Sequence, residues 1–216
     1  MLIWLIPLAA VLFVVVTVAD VHLTTRRLLR YLRTVDLSLR EQERPLQDNA
    51  SAALAALEAA GFEPEAQGVI SAPAQGHRAV FLLRSRTGES IAEVVVLDGG
   101  ASDQVQLSIE SWIPGGRLAT QTVQGLIAMP GHLKQVFPDA DVAELLVEHR
   151  RALEALEATG RRAIPIAEHD VERRWAAALR EDAERHPSGL GVTLRALRIV
   201  RGHIEDRGSV VERGLV

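Results

Sequence analysis

Nineteen residues without a charged side chain, Met1 to Ala19, constrain this chain more than any other feature in it. As an α-helix the run would extend roughly 28 Å, close to the ~30 Å hydrocarbon core of a bilayer. Trp4 falls at interfacial depth, and Pro7 lies in the second turn, where a lost backbone donor costs least. A helix apolar on every face at the start of a chain is expected in a membrane rather than in a core. A cleaved signal peptide carries an apolar region of about 7–15 residues behind positive charge. Here the run is longer, no Lys or Arg precedes it, and only Thr17 and Ala19 offer a small-residue cleavage site ahead of Asp20. The expectation is a transmembrane helix over residues 1–19.

Flanking charge sets the orientation. Arg26, Arg27, Arg30 and Arg33 follow the span closely. By the positive-inside rule these membrane-orienting arginines hold the following domain in the cytoplasm and the short N-terminus outside. That places a single-pass protein in the cell's inner (plasma) membrane, with the lipid bilayer as its first partner.

Residues 20–44 carry six arginines against four carboxylates, a net of +2, so residues 45–216 carry −6 of the total −4. Leu28, Leu32, Val35 and Leu39 recur at spacings of four, three and four and share one helical stripe, with Arg26, Arg30 and Arg33 on a neighbouring face. This reads as a basic amphipathic juxtamembrane helix. It can pack on the folded domain, lie on anionic headgroups, or pair with its own copy, although two heptads are short for a coiled coil.

Pro45 marks the next boundary, because the residue before proline resists the α region. Residues 45–207 read as a soluble α+β domain. A helix over 46–60 carries Ala53, Leu54, Leu57 and Ala60 on one side and stops at Gly61. Residues 63–76, with Gly and Pro breakers among polar residues, read as loop. Then the period becomes two. Strands are expected over 78–86, 91–97, 104–112 and 117–122, joined by turns at Thr87-Gly88-Glu89, 98–103 and Pro114-Gly115-Gly116. Connections this short imply a four-stranded antiparallel meander. In the third strand Val105, Leu107 and Ile109 face inward, while Gln106, Ser108 and Glu110 face a wet side. Three helices follow. One is capped by Asp139 or Asp141 and stopped at Gly160; another spans 170–185 with Val171, Trp175 and Leu179; a last one spans 193–206. The tail, 208–216, should fray. The fold class is therefore α+β: a transmembrane helix, then a helix and a four-stranded meander packed with C-terminal helices.

Chemistry is sparse. With no Cys there is no disulfide, thiolate metal site or thiol nucleophile. Aromatics at 4 % and a net charge of −4 argue against nucleic acid as a partner. Among 24 basic residues only Lys134 is lysine, the composition of a GC-rich bacterial genome rather than a sign of special arginines. His132, His149 and His169, with Glu148, Glu168 and Asp170 nearby, could be drawn as a three-ligand site, but none shows the four-residue spacing of a His-Glu-x-x-His helix. Ser108, Ser111, Thr120 and Thr122 supply hydroxyls outside any nucleophile elbow, and Gly99-Gly100-Ala101-Ser102-Asp103 is followed by strand rather than helix. Gly189-Leu190-Gly191 lacks a third glycine, and Lys134 lacks a phosphate-binding loop. Arg195, Arg198 and Arg201 line one side of the last helix, as a solvated face opposite Leu194 and Leu197 or as a surface for lipid headgroups or an acidic partner, with the solvated face favoured. No residues emerge as catalytic, cofactor-binding or metal-ligating, and no cofactor is expected.

The order of anchor, basic helix, helix, meander ending at Trp112–Thr122, and a helix containing Leu145-Leu146-Val147-Glu148-His149-Arg150 is similar to that of small bacterial single-pass membrane-anchored proteins of unknown function. That resemblance implies a layout and no activity. The expected function is a non-catalytic, cytoplasm-facing membrane module that binds a protein partner, self-associates or organises a membrane complex. The alternative is a membrane-tethered hydrolase using histidines and carboxylates of the C-terminal half. The geometry of His132, His149 and His169 separates the two.

Overall fold

The computed structural model describes residues 16–24, 26–27, 30, 48–72, 76–97, 104–123, 132–185 and 206–216. Most of the expected membrane span, much of the juxtamembrane helix with Arg33, the turn at 98–103 and the helix at 193–205 lie outside them. Residues 16–24 are helical, with Val16 57 % and Leu23 52 % exposed. Among the described residues no helix is long and apolar enough to cross a membrane.

The rest is a mixed α+β fold. Helix α1 (Asp48–Ala59) leads into β1 (Phe62–Ala72), β2 (Gly76–Ser85), β3 (Ile91–Leu97), β4 (Gln104–Ile113), β5 (Gly116–Gln121) and β6 (Leu133–Val136). Helices α2 (Val142–Ala158) and α3 (Val171–Arg185) follow. The strands form one sheet in the order β1-β2-β3-β4-β5-β6, antiparallel except that β6 runs parallel to β5.

The four-stranded meander is thus corrected to a six-stranded sheet. The missed β1 occupies the stretch read as loop. Pro64 lacks a ladder donor, but β1 is an edge strand, where proline is tolerated, and the register shifts between Pro64 and Ala66. Glu65 at that shift forms an ion pair with Arg84 at 2.8 Å and accepts the His169 amide at 3.1 Å. The missed β6 is four residues long, and its outer edge at Val136 is covered by the C-terminal segment: Val136 donates to the Asp206 carbonyl and accepts from the Gly208 amide.

Strand alternation gives the sheet two faces, and helices cover both. On the front face α1 and α2 pack Leu57, Val142 and Leu145 against Leu83, Ala92, Val94 and Ile109. Further along, Ala152 and Leu156 of α2 meet Ile113, Leu118 and Val210. In the tail, residues 208–216, Val210 is fully buried against this cluster. On the back face α3 lays Val171, Trp175 and Ala176 on Val80, Leu82 and Ile91. This covering corrects the expected wet side, since Gln106, Ser108 and Glu110 are half-buried there.

Local signals explain the helix ends. Asp141 caps α2 in a reciprocal box with Glu144, each side chain accepting the other's backbone amide. The helix ends with Arg161 donating to the Leu156 carbonyl and Gly160 to that of Glu157, while Gly160 takes the left-handed φ of +83° that this closure needs.

Candidate functional site

Arg117 organises the polar part of the back face. Cross-strand register places Glu93 opposite Ser108, Ser108 opposite Gln121, Trp112 opposite Arg117, and Ala119 opposite Lys134. Arg117 is buried; it pairs with Glu110 at 3.0 Å and, more closely, with Asp182 at the far end of α3. Its Nε donates to His132 Nδ1 at 3.2 Å, and its guanidinium stands 5.9 Å from the Trp112 ring centre. Burial opposes the Arg117 charge, but Glu110 and Asp182 overcome it and raise the pKa.

The surrounding groups are perturbed in consistent directions. Burial, helped by the Glu110 charge, pushes Glu93 up to about 7, although the Trp175 indole N–H donates to it at 3.0 Å. Burial, then the charges of Arg117 and Lys134, brings His132 down to about 4. Its Nδ1 accepts from Arg117, so the neutral ring carries its proton on Nε2. Burial also lowers the pKa of Lys134. Ser108 Oγ, opposite Glu93, and Gln121 Nε2, opposite Ser108, are buried without a hydrogen-bond partner. A near-neutral carboxyl, a neutral imidazole and a depressed amine are the ingredients of proton transfer. Here His132 accepts from Arg117 and Glu93 accepts from the Trp175 indole.

The front face holds a second network around His149. Its Nε2 lies 2.9 Å from Ser111 Oγ, which is 2.8 Å from Ser90 Oγ; its Nδ1 lies 2.8 Å from Thr120 Oγ1. Gln135 Nε2 donates to Thr120 Oγ1 at 2.7 Å and to the Glu148 carbonyl at 3.1 Å, while Gln135 Oε1 accepts the Val210 amide. Counting donors orders the chain: Gln135 to Thr120, Thr120 to Nδ1, then Nε2–H to Ser111 and Ser111 to Ser90. Burial lowers the His149 pKa to about 3, so the ring is neutral. A serine beside an imidazole suggests acyl transfer, yet Ser111 and Thr120 are 0 % exposed and His149 is 3 % exposed. Substrate has no access to them in this arrangement.

The candidate histidine site is therefore not assembled. His132 belongs to the back face and His149 to the front, while His169 is exposed on the turn before α3, 3.7 Å from both Glu65 and Glu168. Asp170 instead pairs with Arg173 and Arg174. Among the described residues no three His, Asp or Glu side chains could hold a metal ion. Arg26, Arg27 and Arg30 are exposed on helical backbone, whereas Ser102, Gly189, Gly191, Arg195, Arg198 and Arg201 lie outside the described residues.

The sequence reading missed both networks, though the signals existed. His149 sits among Val142, Leu145, Ala152 and Leu156 at spacings of three and four, on the buried stripe of α2. Glu93 interrupts an otherwise apolar strand, Ile91–Leu97.

A third feature is open to solvent. A groove of about 680 Å³ runs between the end of β6, residues 137–140, the first turns of α2 and residues 207–208. Its apolar surface comes from Phe137, Ala140, Ala143 and Val147, and its charged groups are Asp139, Glu144, Glu148 and Arg207. No protein-family model, curated protein or solved structure matches the chain.

Proposed function

We propose that this chain is a non-catalytic, single-pass membrane module whose α+β domain faces the cytoplasm and binds a protein partner. The observation that carries the proposal is the uncharged run Met1–Ala19, followed closely by Arg26, Arg27, Arg30 and Arg33. Two further observations favour binding over chemistry. Glu93, Arg117, His132 and His149 are engaged by neighbouring side chains, and the open groove has a mostly apolar lining with charged groups among it.

Full-length protein expressed in a bacterium should pellet with membranes and resist alkaline carbonate extraction. A reporter fused after Val216 should be active only if it is a type that works in the cytoplasm. Release by carbonate, or recovery of a chain beginning near Asp20, overturns the anchor. Digestion of the domain by protease added outside intact cells overturns the orientation.

A further inference from the structure

We infer that the groove beside β6 is the docking site for a basic amphipathic helix of a partner protein; this rests on the partner-binding reading above. Three observations on that surface converge. First, the apolar surface is exposed where it need not be: Val147 is 60 % exposed on a helix whose opposite stripe is the buried one. Phe137, Ala140 and Ala143 extend that surface along the groove. Second, the charge is one-sided, with carboxylates Asp139, Glu144 and Glu148 against the single cation Arg207. Third, the Glu148 carboxylate, a quarter exposed beside Val147, has its Oε1 3.8 Å from Arg151, beyond hydrogen-bond range. An arginine or lysine on the occupant would pair with its exposed part.

The shape of the binding mode follows by elimination. Strand addition at β6 is blocked at Val136, whose amide and carbonyl are already used by Asp206 and Gly208. Anionic lipid headgroups would be repelled by the carboxylates. A small polar ligand would want polar groups converging inside a pocket, whereas the lining here is mostly apolar. An amphipathic helix presents apolar anchors three and four residues apart with cations beside them, matching a groove lined by Val147, Ala143 and Phe137 together with carboxylates. Residues 45–216, at −6 overall, would also draw a cationic partner in at low salt.

The test uses the full chain in nanodiscs of zwitterionic lipid and an 18-residue leucine–arginine peptide with one apolar face, followed by fluorescence anisotropy. A scrambled isomer of equal charge and a leucine–glutamate analogue serve as controls. The expected result is saturable binding of the amphipathic basic peptide alone. Val147→Lys should weaken it at least tenfold. The double variant Asp139→Asn with Glu148→Gln should weaken it severalfold and flatten its salt dependence. Both variants are to be confirmed folded by circular dichroism; Ala143→Gln is the substitute if either is not. Equal binding of the scrambled peptide, or no effect of Val147→Lys, overturns the inference. So does sedimentation showing that Val147→Lys turns a dimer into a monomer, because the occupant is then a second copy. Carbonate extraction reads the anchor, whereas the comparison of Val147→Lys with wild type in the same nanodiscs reads the groove, so the two failures are distinguishable.

Discussion

Replacing Glu93 by Gln should make the protein more stable at pH 8 and leave it nearly unchanged at pH 4.5. Glu93 titrates near 7 in the folded protein because it is enclosed and faces Glu110. In the unfolded chain it titrates near the ordinary 4.5. A carboxyl whose folded pKa is raised stabilises the fold fully below pH 4.5 and loses that contribution as pH rises through 7. At about 1.4 kcal/mol per unit, the loss is about 3 kcal/mol. Gln keeps the shape and an oxygen to accept the Trp175 N–H, and it does not titrate.

His132 and His149 act in the opposite sense. Their folded pKa values, about 4 and about 3, lie below the ordinary 6.5, so stability falls as pH drops from 6.5. Between pH 4.5 and 6.5 the unfolded chain holds two protons on these histidines, and the native chain holds one on Glu93. The difference of one gives stability rising with pH at about 1.4 kcal/mol per unit. From 6.5 to 7 only Glu93 acts and the slope reverses. These three groups place the maximum near pH 6.5. Urea unfolding of residues 45–216, followed by tryptophan fluorescence from pH 4.5 to 8, reads this directly. The gap between Glu93→Gln and wild type should widen by about 1.4 kcal/mol per unit up to pH 7 and then level. A gap independent of pH refutes the assignment of Glu93 as a buried, neutral acid.

Arg117→Met should destabilise by about 3–5 kcal/mol, because it leaves Glu110 and Asp182 buried without their cation, whereas Arg151→Ala, which removes the exposed pair with Glu212, should cost under about 1 kcal/mol; urea midpoints compare the two. Ile109→Ala, at a side chain 2 % exposed, should cost about 2–5 kcal/mol and Gln106→Ala on the other face under about 0.5 kcal/mol, so equal effects would mean the strand's facing is wrong. Gly88→Ala should lower the melting temperature, since Gly88 has φ +73° and an added Cβ would meet the Ile166 carbonyl oxygen at 2.9 Å. Melting should not move with a chelator; a drop of many degrees together with bound divalent metal would revive the hydrolase reading.

What the sequence made legible was whatever depended on neighbours along the chain. The Asp141–Glu144 cap, the Gly160 stop, the stripes of α1 and α3 and the Gly88 turn all follow from spacing within a few residues. What it hid depended on contacts far along the chain. Glu63, Pro64 and Glu65 look like loop until Arg84 and Arg86 arrive to pair with the two carboxylates. Glu110 alternates as an exposed residue should, but Asp182 and Arg117, 72 and 7 positions later, turn its face inward. The apolar stripe of α2 contained His149, and only the hydroxyls of Ser111 and Thr120 explain why a histidine is tolerated there.

The two polar networks also account for how so short a strand as β6 keeps its place. Four residues, Leu133–Val136, contribute little apolar surface, and a parallel edge strand is easily displaced by one position. Such a slip would carry Gln135 out of the front-face network and bring Lys134 into it. Gln135 is fully buried, with its amide donating to Thr120 and Glu148 and its oxygen taking the Val210 amide. After a slip those buried partners lose their bonds, at about 1–3 kcal/mol each. On the other side Lys134 would leave a setting that includes Asp182 and Glu110. The register is therefore held by polar residues that alternate between faces, with the C-terminal segment as part of the lock through Val210 and through the Arg213 bond to the Lys134 carbonyl. Since Val136, Arg207 and Gly208 also line the groove, that lock fixes the shape of the surface proposed to receive a partner.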